Sequence, residues 1–113
     1  MSLIYKISPE SDWRAAQAAG VYTGAPVDLA DGFIHFSAAD QLRETAAKHF
    51  HGQADLLLIA VETEALGEAL KWEPSRGGAL FPHLYADLPM SAVVWAKPLP
   101  LGEDGMHRFP EEV

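Results

Sequence analysis

Residues Asp55–Glu62 read DLLLIAVE, and the reading of this stretch decides the fold. Leu56 to Val61 are apolar without interruption, too short for a helix and rich enough in branched side chains for a strand. An unbroken apolar run belongs to a strand covered on both faces, at the centre of a sheet. It also falls far short of the roughly 20 residues that a membrane helix needs.

The segments around it alternate between helix and strand signals. Upstream, Ala39–His51 (ADQLRETAAKHFH) places Leu42, Ala46 and Phe50 at four-residue spacing on one helical face, and Gly52 ends the helix. Ser37-Ala38-Ala39-Asp40 reads as a capping-box variant with Ser37 as N-cap. Gly32–Phe36 is a short strand entered through an Asp31-Gly32 turn. Leu3–Ile7 (LIYKI) alternates like a strand, and Ser8-Pro9-Glu10 opens a helix with proline at its first position. That helix runs to Gly20 and is anchored by Trp13. Val21–Ala30, with Gly24 and Pro26, reads as loop.

Downstream, Glu64–Glu68 is one helical turn, Leu70–Glu73 a short strand and PSRGG a turn. Leu80–Tyr85 (LFPHLY) is strand or extended, and Pro82 suits a sheet edge or a strand end. Ser91–Pro98 is the last strand, and the tail lacks periodicity. The order predicts an α+β fold: a small mixed, mainly antiparallel sheet or sheets with two main helices.

At 113 residues the chain has room for one domain, residues 1–113. It lacks cysteine, which excludes disulfides, thiolate metal sites and cysteine nucleophiles. MSLIYKISPESDW has no signal-peptide pattern, so a cytoplasmic protein without a membrane span is expected. A net charge of −8 argues against general nucleic-acid binding.

Five histidines are candidates for chemistry. His49 and His51 sit at a helix end, where they complement the dipole. His107 lies in the tail and is expected to be exposed. His35 (GFIHFS) and His83 (LFPHLY) instead sit in extended apolar segments, each followed two residues later by a hydroxyl, Ser37 and Tyr85. Residues i and i+2 share a face of a strand, so each pair points together. Either each histidine bridges two elements through hydrogen bonds, or the two segments share one site. In KWEPSRGG, Trp72 can stack on a planar ligand, Glu73 can accept from hydroxyls and Arg76 can take a phosphate. Ser37, beside a helix start, can help hold an anion.

Taken together, IYKI, Trp13, DGFIHFSAADQ and WEPSRGGALFPHLY resemble the bacterial family known as domain of unknown function 952, over nearly the whole chain. The resemblance implies a fold similar to ADP-ribosyltransferases, which bind NAD in a cleft between two small sheets. On that expectation a nucleotide-like small molecule of NAD or ADP-ribose type is the partner, with NAD as substrate rather than bound cofactor. His35, His83 and Glu73 would be catalytic; Tyr5, Asp31, Ser37, Trp72, Arg76 and Tyr85 would bind ligand; no metal is required. The rival expectation is a non-catalytic module binding a protein or metabolite. A third is a metal-assisted hydrolase using His35, His83 and a carboxylate such as Asp31.

Overall fold

The DLLLIAVE segment forms β4 (Leu56–Glu62), the middle strand of an antiparallel sheet between β1 (Leu3–Pro9) and β8 (Val93–Leu99). The computed structural model describes residues 2–113, save the side chain of Arg76. Alternate β4 residues supply two separate cores. Leu57, Ile59 and Val61 face one, with Ile4 and Trp13. Leu56, Leu58 and Ala60 face the other, with Tyr5 and Ile7. Burial on both faces is what the continuous apolar run requires.

On the second core lies α3 (Leu42–His49), preceded by a single 3-10 turn, Ala39–Gln41. Leu42 and Ala46 are buried against the sheet, and Phe50 and Phe109 pack at the margin. On the first core lie α1 (Glu10–Ala19), a two-stranded pair of β2 (Val21–Tyr22) with β7 (Leu88–Pro89), and a second three-stranded sheet. That sheet is ordered β3 (Ile34–His35), β6 (Ala79–Leu84), β5 (Leu70–Ser75). Every strand pair is antiparallel. The fold is therefore α+β with two main helices. Among the described residues no helix is long and apolar enough to cross a membrane.

Four local expectations are corrected. Val21–Ala30 is not loop: it holds β2 and a short helix, α2 (Pro26–Asp31), with proline at its first turn and Gly32 as a left-handed C-cap at φ 86°. Pro9 is the N-cap of α1, because β1 runs on through Ser8 and Pro9 to pair with Leu57 and Leu56. Ser37 caps nothing; the turn starts at Ala38, whose N–H is held by the Gln41 side chain at 2.9 Å. His107 is not exposed: it is buried, its Nε2 2.8 Å from the Gln53 carbonyl.

Pro82 also departs from its expected place at an edge or a strand end, since β6 is the middle strand and Pro82 lies inside it. The physical reason lies in the pairing. The Pro82 carbonyl accepts from Phe36 N at 3.0 Å, so the missing N–H would face that same residue, just beyond the end of the short β3. The proline thus costs its sheet one hydrogen bond at a place where the ladder is already ending.

Candidate functional site

The second sheet turns one face to the core and the other away from it. Ile34, Phe36 and Leu84 point into the core, so the alternate residues Phe33, His35, His83 and Tyr85 share the outer face. The register sets His35 directly opposite His83. Their ring centroids are 5.4 Å apart, in an edge-on arrangement. Phe33 packs against both rings, and His35 keeps a third of its side chain exposed. Phe33 stacks on His83 at 4.1 Å, and its centroid is 4.6 Å from His35 and 5.2 Å from Tyr85.

Each histidine is held by a carboxylate. His35 Nδ1 is 2.6 Å from Asp28 Oδ1, and its Nε2 is 2.9 Å from Asp31 Oδ2. His83 Nδ1 is 2.9 Å from Glu73 Oε1, the oxygen to which the Tyr85 hydroxyl donates at 2.7 Å. Donation by Tyr85 and His83 holds the Glu73 pKa below its ordinary value, and the same contact raises that of Tyr85. Glu73 is therefore an acceptor, and Nδ1 of His83 carries the proton that points at it.

Asp28 is the anchor of this arrangement. Only 1 % of it is exposed. It occupies the third position of α2, where its Oδ2 accepts the Ala25 N–H at 2.7 Å. Lys6 Nζ, reaching from β1, donates to both of its oxygens, at 2.9 and 3.2 Å. The His35 N–H adds a bond of 3.1 Å to Oδ1. Burial by itself would raise the Asp28 pKa. The bonds from His35, Lys6 and Ala25, with the Lys6 charge, outweigh it and hold the carboxyl well below the usual range. Burial lowers the Lys6 pKa against the pull of Asp28.

A carboxyl that binds its proton less readily folded than unfolded adds stability above its unfolded value and loses it in acid. Near pH 4 the unfolded chain takes up the Asp28 proton first, so this contribution falls away as pH drops below about 4. Urea unfolding should show the wild-type midpoint falling more steeply between about pH 5 and pH 3 than that of Asp28→Asn. Parallel slopes would remove Asp28 from the acid response.

The sequence-predicted residues divide. His35, His83, Glu73, Asp31 and Tyr85 meet on one face. Tyr5 does not join them: it is buried in the other core, 6.0 Å from the Trp95 ring. Its backbone instead exchanges two 2.9 Å bonds with Ser37, joining the edge of the central sheet to the end of the β3 segment. Ser37 is likewise removed, buried with its hydroxyl 2.9 Å from Thr45 Oγ1. Trp72 neighbours Glu73 on β5 and so points to the opposite face of that strand. Arg76 opens the β5–β6 turn, but its side chain lies outside the described residues. Among the described residues no group of three or more His, Asp or Glu side chains is placed to hold a metal ion.

Three site residues escaped the sequence reading: Asp28, Lys6 and Phe33. A signal for Asp28 was present, since Ala25-Pro26-Val27-Asp28 has proline at the first helical position and an acid two residues on. Lys6 was visible as the one charge in an apolar strand, although its partner was not.

These features define a class: a small α+β domain whose outlying sheet carries two carboxylate-backed histidines packed against one aromatic ring. The chain belongs to the family described as protein of unknown function (DUF952), which matches residues 7–96. It is similar to protein CC0527 of Caulobacter crescentus. The crystal structure of that protein is 58% identical, with 95% of this chain and 94% of that chain covered and a TM-score of 0.91. Its solution NMR structure is 56% identical, with 100% and 97% covered and a TM-score of 0.88. No curated protein matches the chain.

Proposed function

We propose that the His35–His83 face binds a ribose-bearing, nucleotide-like small molecule of the NAD or ADP-ribose type and transfers an ADP-ribosyl or related group from it. One observation carries the reading: two histidines sit directly opposite each other in the register with their rings edge-on, each held through Nδ1 by a carboxylate. That leaves Nε2 of His83 as a proton acceptor, and Glu73 as a negative charge beside it. Phe33 and Tyr85 offer faces to a planar ring or a sugar.

In such a transfer the C1′–N bond of the donor breaks and the base leaves with the electron pair. The new bond runs from C1′ to an acceptor oxygen, whose proton passes to His83. Glu73 stabilises the positive charge that develops on the ribose ring. Tyr5, Ser37 and Trp72 are left out of the proposed ligand set, because none of them shares the face that holds His35, His83 and Glu73.

The test is a thermal-shift titration with NAD and with ADP-ribose. At a hundredfold excess over Kd, binding adds about 2.7 kcal/mol, a rise of several degrees in a domain of this size. His35→Ala should abolish the rise. No shift with either compound at millimolar concentration would overturn the proposal.

A second reading is a non-catalytic module binding a metabolite or a protein at the same face. It is favoured by the cover over His83, which is only 5 % exposed with the Phe33 ring stacked on it. Binding without any cleavage of the donor would decide for the module.

A further inference from the structure

We infer a second binding site, for a small anion with an apolar body, in the cleft between α3 and the C-terminal tail. The cleft has a volume of about 210 Å³ and is lined by residues that include Arg43, Ala47, His51, Arg108 and Phe109. No aspartate or glutamate is among the described residues that line it, in a chain with 16 acidic side chains against 8 lysines and arginines. Its wall inverts the charge of the molecule, so an anion is repelled less here than by the acidic surface at large.

The geometry supplies an anchor. The Arg43 guanidinium lies over the Phe109 ring, 4.8 Å from the centroid, and Nη2 donates to the main-chain oxygen of Val113 at 3.2 Å. A guanidinium carries five N–H donors in a planar fork, so this bond leaves donors for a second acceptor. Arg108 is turned toward its own loop, 3.1 Å from Asp104, and donates to the Met106 carbonyl at 3.2 Å. Arg43 is therefore the principal anion contact, with His51 across the cleft. The walls are positioned independently of any ligand. His107 ties the tail to the Gln53 carbonyl, and Phe109 packs against the core beneath α3.

Ala46, Ala47 and Phe109 provide the apolar surface. The volume equals that of about seven waters, below the roughly 300–1,000 Å³ of drug-sized pockets. The occupant is thus fragment-sized: one anionic head and one ring or short chain. This cleft serves the core on the α3 side of the central sheet, whereas the histidine face belongs to the sheet on the other side. The two sites are tested separately.

The experiment is an amide-resolved NMR titration of the full chain with phenyl phosphate, with inorganic phosphate and benzyl alcohol as the other arms. Saturable shifts are expected at residues 43–51 and 105–109, half-complete at about 1 mM or below. Each single-feature compound should bind about tenfold more weakly or worse. Arg43→Gln should weaken phenyl phosphate about tenfold. Ala47→Leu, which fills the cleft from an exposed helical position and keeps the charge, should weaken it too. The proposal is overturned by shifts that fail to saturate by about 10 mM, by shifts confined to the histidine face, or by unchanged binding in both variants.

Discussion

Asp28→Asn is expected to cost the folded chain about 3–5 kcal/mol, read by urea unfolding at neutral pH. Lys6 is 7 % exposed, and its ammonium bonds to both Asp28 oxygens. Removing the carboxylate leaves a buried cation without its counter-charge, which is costlier than the loss of any one hydrogen bond. The asparagine also offers an NH₂ group where donors now converge from Lys6, Ala25 and His35. The same reasoning predicts a rescue. With Lys6→Met in the same chain the stranded charge is gone, and the double variant should be more stable than Asp28→Asn alone by about 2 kcal/mol or more. A single-variant cost below about 1 kcal/mol, the range of a surface pair, would show that water reaches Lys6.

The second large effect is on chemistry. Glu73→Gln and His83→Gln should each lower cleavage of an NAD-type donor by about 10²–10⁴-fold, the range for removing a positioned acid or base. Glu73→Gln keeps an oxygen for the Tyr85 hydroxyl and for His83 Nδ1. The fold and the donor-induced thermal shift should therefore survive while turnover falls. That split separates a catalytic group from one that only binds. Retained turnover in both variants would take Glu73 and His83 out of the chemistry and overturn the roles given to them.

Much of the architecture was legible in the chain itself. The apolar run Leu56–Val61 announced a central strand because a strand covered on both faces has no side to leave polar. Leu42 and Ala46 marked the buried stripe of α3, and Gly20 marked the end of α1. The repeated pattern of histidine and then hydroxyl drew attention to two segments that the fold pairs residue for residue.

It misled on Ser37, whose place before a helix start suggested a cap, because a good cap residue and a buried bridge residue look alike in sequence. Trp72 next to Glu73 looked like one cluster, yet neighbours on a strand face opposite ways. Tyr85, by contrast, was tied to Glu73 through a contact that no local pattern announces.

By itself the sequence determined what depends on nearest neighbours along the chain: the periods, the turn residues, the strand that must lie inside, and the family. Only the tertiary structure decided which charges meet. Asp28 lies 22 residues from Lys6 and 7 from His35, and Glu73 lies 10 residues from His83. These partners are selected by desolvation. Once β1 and α2 are packed together, a buried lysine and a buried carboxylate are each stable only against the other, and the histidine takes its orientation from the pair they form.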